Sequence, residues 1–147
     1  MKDEATQVAG GCLCGKIRYE AEVFLSYAYY CHCTQCQKTS GAPAEVGIPV
    51  RSGTLNFIKG EPRCFISSDI GKRGFCECCG SRIVWLPNNP ANESWTNISA
   101  GSLDKPDDVR PKLHSCVDTK LSWYDLADQL PHLRSDQEDD FFSAMPY

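Results

Sequence analysis

The 147 residues are enough for a single packed domain, and no apolar run approaches the length of a membrane span. A formal net charge of −4, with no Lys/Arg stripe, argues against a protein that tracks a nucleic-acid backbone. Ten cysteines would suggest disulfides in a secreted chain. The polar start "MKDEATQVAGG" has no signal-peptide core, however, so the expected setting is a reducing cytoplasm, where C-x-C and C-x-x-C pairs read as metal ligands.

Short β-type runs broken by Gly, Pro and Asn dominate and helical periodicity is scarce, which predicts an all-β domain with at most short helices. Near the N-terminus, "GGCLC" places Cys12 and Cys14 in a glycine-flanked turn, and "KIRYEAEVF" (16–24) alternates apolar and polar residues as a half-buried strand does. "YCHCTQCQKTSG" follows, with Cys31, Cys33 and Cys36 and a short helix expected around "CTQCQKTSG". Strands are expected over "AEVGIPV", "GTLNFIKG", "RCFISS" and, after the knuckle "GFCECCG", over "SRIVWLP". Pro43, Pro49, Pro62 and Pro87 then fall at strand ends or edges, where a missing N–H costs little. "PNNPANES" and "LDKPDDVRP" read as loops, "WTNISAGSL" and "KLHSCV" as extended structure, and "SWYDLADQL" as a second short helix. After Arg134 come four acids and no basic residue, so 134–147 is expected to be a flexible acidic tail.

The cysteine spacings carry the chemistry. Cys76 and Cys79, followed by Gly80, form a knuckle that aims two thiolates at one metal, and Cys12 and Cys14 are the pair that would complete a tetrahedron. Such a closed zinc site ties the N-terminal strand to the middle of the chain, so metal binding contributes to folding. Cys78 reads as a bystander between two ligands, and Cys64 and Cys116, alone in strand-like runs, as buried small hydrophobes. Cys31, Cys33 and Cys36 are left without a fourth cysteine. A zinc held by three thiolates keeps one position for water or substrate. Two alternatives stand beside this: His32 as a fourth ligand, or a cluster without metal that is only redox-sensitive.

The ordered set "GGCLCGKIRYE", "CHCTQCQKTSGAP", "RGFCECCGSRIVW" and "PKLHSCVDTKLSWYDLADQLPHL" resembles the glutathione-dependent formaldehyde-activating enzyme family, which also contains centromere protein V-like proteins. The resemblance covers residues 10–133, leaving an N-terminal tail of 1–9 and the tail 134–147 outside. It implies a tent-like all-β fold stapled by zinc, with two zinc ions per chain. One would be structural, at Cys12, Cys14, Cys76 and Cys79, and one substrate-facing, at Cys31, Cys33 and Cys36. It also implies a carbon–sulfur lyase type of activity, the reversible addition of formaldehyde to the thiol of glutathione. Gln37 and Lys38 stand where many members carry an arginine after the third cluster cysteine.

In that chemistry zinc would deprotonate the substrate thiol, and a donor near the carbonyl oxygen would help. Lys38 and the hydroxyls of Thr39 and Ser40 are the nearest candidates, with turn and capping roles as the alternative. His114 is a candidate acid or base, weighed against a structural histidine. Trp123 and Tyr124 read as core or rim. The expected partners are a small-molecule thiol and an aldehyde, with a second copy of the chain as a further candidate and neither nucleic acid nor membrane favoured. The competing function is a non-catalytic zinc-stapled binding module. A concave pocket at the second cluster would favour the enzyme, and a flat patch the module.

Overall fold

The computed structural model describes residues 4–143. Strands carry the architecture, in two sheets. Strands β1 (Thr6–Gly11), β2 (Arg18–Val23) and β5 (Asn56–Lys59) form an antiparallel three-stranded sheet in the order β1-β2-β5. The larger sheet contains β3 (Tyr29–Cys31), β4 (Glu45–Pro49), β6 (Arg63–Ile66), β7 (Gly71–Phe75), β8 (Arg82–Pro87), β9 (Asn97–Ser99) and β10 (Leu113–Ser115). Its order is β10-β3-β4-β9-β8-β7-β6, and every pair is antiparallel except β10 with β3. Among the described residues only α1 (Thr34–Ser40) reaches seven residues of helix, with α2 (Glu138–Ser143) shorter, so the all-β expectation holds. Among the described residues no helix is long and apolar enough to cross a membrane.

Strand alternation sorts the large sheet into two faces. Ile48, Ile98 and Val84 stand opposite one another across β4, β9 and β8, and all three belong to the core, which also takes Tyr19, Ala21 and Val23 of β2. Their neighbours Gly47, Asn97 and Trp85 face the other way and line a cavity. One sheet thus supplies a packed core on one side and a floor for chemistry on the other.

The helix expected over "SWYDLADQL" does not form. There the Asp125 carboxylate accepts from the Ala127 N–H at 2.9 Å and Asp128 from the Leu130 N–H at 3.0 Å. Such side-chain turns compete directly with helical backbone bonds. The C-terminal segment, expected as a flexible tail, is helical over Glu138–Ser143 and reaches the cavity wall through Glu138.

Gly71 carries the close approach of β7 to β8, since a Cβ there would overlap the Trp85 indole. Gly71→Ala is therefore expected to cost ~1–3 kcal/mol by overpacking. Urea unfolding followed by indole fluorescence checks this, and an unchanged midpoint would show that the ring has room to shift.

Candidate functional site

Two turns sixty residues apart meet at the first cysteine group. After β1 the chain reverses at Cys12–Gly15, closed by the Gly15 N–H on the Cys12 carbonyl at 3.1 Å, with Gly15 at φ 75°. Between β7 and β8 the knuckle closes in the same manner, the Gly80 N–H donating to the Cys76 carbonyl at 2.8 Å with Gly80 at φ 76°. A non-glycine residue rarely adopts that backbone. The sulfurs of Cys12, Cys14, Cys76 and Cys79 all lie within 4.8 Å of one another. Cys12 and Cys14 are 3.6 Å apart and Cys14 and Cys76 3.8 Å. Ligands at about 2.3 Å in a tetrahedron stand about 3.8 Å apart, so this donor set fits zinc.

A residue that the spacings did not reveal ties the two turns together. Ser81 Oγ accepts the Leu13 N–H at 2.9 Å, which frees its own hydrogen for the Cys79 sulfur at 3.2 Å. Those contacts, with the backbone around them, pull the Cys79 thiol down to about 5. Cys78 lies outside the group and is exposed, with Lys16 Nζ 3.2 Å from its sulfur.

The second group is built by the β3–α1 junction. Cys31 ends β3, and Cys33 is the N-cap of α1, its sulfur accepting the Cys36 N–H at 3.3 Å. Cys36 follows one helical turn later, and Gly41 in left-handed conformation stops the helix. The three sulfurs lie within 4.8 Å of one another. They cannot all ionise without a cation between them. The contact with the Cys116 thiol, then those with Cys31 and Cys36, holds Cys33 far below the ordinary thiol range. The contacts with Cys116, Cys33 and Cys36, with burial, push Cys31 far above it. Cys31 draws the Cys36 thiol down, but Cys33 and burial outweigh it and leave Cys36 at about 12. One thiolate among neutral thiols is the charge pattern of a cluster whose full ionisation awaits a metal ion.

These thiols line a cavity of about 470 Å³ whose walls include Trp85, Trp95 and Tyr29. Two arginines from β7 and β8 also line it. Arg73 is buried, donating through Nη1 to Gln35 Oε1 at 3.0 Å and to Ser67, while its Nη2 lies 3.6 Å from the Cys36 sulfur. Arg82 pairs with Glu45 at 2.6 Å and donates to Thr39. The Nε of each arginine is buried and has no partner among the described residues. Nothing in the spacing of "GKRGF" or "SRIVW" signalled either arginine.

Several expectations are revised. Lys38 is exposed and takes no part in the cavity wall. Ser40 donates to the Cys36 carbonyl at 2.6 Å and Thr39 to that of Gln35 at 2.6 Å, which are helix-end roles. His32, weighed as a fourth ligand, does not join the three sulfurs. It is buried, and its Nε2 lies 2.8 Å from His114 Nδ1. His114 Nε2–H donates to Asp128 at 3.0 Å, so its Nδ1 accepts from His32. Burial first, and then the neighbouring His114, press His32 down to about 4. His114 thus sits in a buried relay behind β3 and does not line the cavity. Trp123 is exposed, and the Tyr124 ring lies 6.1 Å from that of His32. Cys64, expected to be buried, is exposed on the edge strand β6. Cys116, also expected in the core, instead lines the cavity and contacts Cys31 and Cys33.

The profile of the glutathione-dependent formaldehyde-activating enzyme family matches residues 7–119. The chain belongs to that family. A crystal structure of a Rhodobacter sphaeroides protein superposes with a TM-score of 0.54 at 18% identity, covering 85% of this chain and 99% of that one. At that identity the likeness shows the fold alone. No curated protein matches the sequence. Both cysteine groups can hold a metal ion, and all four cysteines of the first group and all three of the second fall within the matched region.

Removing one sulfur from the first group should be felt by the whole fold. Cys79→Ser is expected to lose one metal ion per chain and several kcal/mol of stability, whereas Cys78→Ser keeps both metal content and melting temperature. Metal analysis with thermal melting distinguishes them, and equal behaviour of the two variants would remove the staple.

Proposed function

We propose that this protein is a zinc-dependent enzyme of carbon–sulfur lyase type that catalyses the reversible addition of formaldehyde, or a related aldehyde, to the thiol of glutathione or another small thiol. The observation that carries the reading is the contrast between the two cysteine groups. The first is closed by four sulfurs of its own, while the second presents three sulfurs to a cavity in a chain of the formaldehyde-activating family. A concave wall favours catalysis over the binding-module alternative. Ten free thiols suit a reducing, cytoplasmic setting.

A thiol of ordinary pKa is only a few per cent thiolate at neutral pH. Zinc held by Cys31, Cys33 and Cys36 would supply the deprotonation and fix the sulfur in place. The remaining work falls to the cavity. Carbon–sulfur bond formation moves negative charge onto the aldehyde oxygen, and the Arg73 guanidinium is a fixed donor beside the cluster, held by Gln35 and Ser67. It takes the role that the sequence gave to Lys38. The oxygen then collects a proton from water, the thiol's own proton having left earlier, so the net change is addition of S–H across C=O. Arg82, fixed by Glu45, brings a second guanidinium to the cavity wall for a carboxylate of the thiol substrate. Trp85 and Trp95 add apolar surface to the same wall.

Exchange NMR between labelled formaldehyde and its thiol adduct measures turnover above the spontaneous rate. Cys33→Ser should remain folded, hold one zinc fewer and lose the catalysed exchange. Arg73→Gln should keep both metals and lose roughly 10²-fold, the scale of removing one oxyanion donor. Full exchange in Cys33→Ser would show that the reaction does not use this cluster.

A further inference from the structure

Cys116 touches the second cluster, and the strands dictate how it arrives. Ser115 pairs with Cys31 in the parallel β3–β10 ladder, and its carbonyl accepts the His32 N–H at 2.9 Å. One residue later the backbone turns through φ 54° and ψ 43°, a left-handed conformation that a residue with a Cβ rarely takes. That turn delivers the Cys116 thiol to those of Cys31 and Cys33. The position is fixed from several directions. Leu133 N–H donates to the His114 carbonyl at 2.8 Å, the Thr119 hydroxyl to the His32 carbonyl at 3.0 Å, and Gln37 Nε2 to the Thr119 carbonyl at 3.0 Å. A second group competes for the sulfur. Cys116 Sγ donates to Glu138 Oε1 at 3.0 Å, and the same oxygen accepts from the Ser115 hydroxyl.

We propose that Cys116 is a fourth thiolate ligand of the second metal site, closing the shell that Cys31, Cys33 and Cys36 leave incomplete and yielding its place to the substrate thiol. The inference rests on the reading of that triad as a zinc site. The Cys116 sulfur contacts Cys31 and Cys33 but falls outside the set of sulfurs that includes Cys36, so the structure holds it on the Glu138 side. Rotation of the side chain toward Cys36 would bring a fourth sulfur to the group that Cys31, Cys33 and Cys36 form. Two resting places, one carboxylate and one metal edge, make Cys116 an exchangeable ligand, unlike the four cysteines of the first group. The exchange balances. The entering thiol would pass its proton to the Cys116 sulfur, leaving it a neutral thiol able to donate to Glu138 as it does in the structure, and the substrate sulfur would take its place as thiolate with no net change of charge. A tethered protein sulfur also filters substrates, because it competes at high local concentration. Only a thiol that gains further contacts in the cavity, at Arg73 or Arg82, displaces it.

Cobalt(II) substituted for zinc in the full chain reads this directly, since sulfur-to-metal charge-transfer bands report thiolates and d–d bands report geometry. Wild type is expected to bind two ions, each with four sulfurs. Cys116→Ala should keep two ions but shift the second to three sulfurs and an oxygen, and weaken its zinc hold against a chelator by about 10- to 100-fold. The same variant should bind added glutathione at the metal at lower concentration than wild type, because no internal sulfur competes. Glu138→Ala should move both readouts in the opposite direction. If Cys116→Ala misfolds, Cys116→Asn serves, since asparagine tolerates left-handed backbone. Unchanged spectra and zinc affinity in these Cys116 variants overturn the proposal. A wild-type chain that binds one ion overturns both this and the enzymatic reading. Two ions, a Cys116-dependent spectrum and no catalysed exchange leave the ligand assignment standing and remove the enzyme.

Discussion

Thiols as crowded as those of Cys12, Cys14, Cys76 and Cys79 set the condition that the rest of the chain must meet. Four thiolates at this spacing repel one another, and four neutral thiols offer only weak hydrogen bonds; a dication among them turns the crowding into attraction. The two turns that supply these sulfurs belong to different sheets, one between β1 and β2 and the other between β7 and β8. Outside this meeting point the small sheet touches the large one through the shared core and single bridges such as Val23 with Val50. A domain of this size with short strands gains much from one strong tie between its halves. Ser81 shows how closely the local backbone is fitted to that tie, since one hydroxyl serves both turns.

The second cluster stands under a different constraint. Its three sulfurs come from one short stretch, so little chain is tied down by them, and the elements around the cluster are free to serve the cavity. The floor is a sheet whose opposite face is packed core, and this holds Arg73, Trp85 and Asn97 in fixed relation to the sulfurs. Rigidity behind a site and openness in front of it is the arrangement that preorganised donors require. The His32–His114–Asp128 chain adds to the support from behind, locking the residue between two cluster cysteines against β10.

The two cysteine groups that could hold a metal were legible because thiol pairs of this kind are written in short spacings, C-x-C and C-x-x-C, that survive without knowledge of the fold. Strands with clear alternation, β2 above all, were legible for the same local reason. What was missed depends on distant partners. β7, "GKRGF", has two glycines and no pattern, yet both glycines face side chains of β8, Trp85 and Val84, and the arginine between them lines the cavity. Cys64 was read as core because its run is apolar, but β6 is an edge strand with all four residues exposed. Cys116 was read the same way, and only its left-handed turn brings it to the cluster. The segment after Ser122 has helical composition, but Asp125 and Asp128 bond their own backbone instead.

The parallel pairing of β10 with β3 has a consequence for how the molecule comes into being on the ribosome. Every cysteine of the first group has been synthesised once residue 79 emerges, so a metal tie there would be free to form while the rest of the chain is still being made. The cavity cannot take shape on that schedule. Its edge is β10, which pairs with β3 across eighty residues of intervening sequence, and Glu138 follows later still. A nascent chain that took up metal at the first group would therefore pass through an interval in which its scaffold is stapled while the three thiols of the second group stand uncovered.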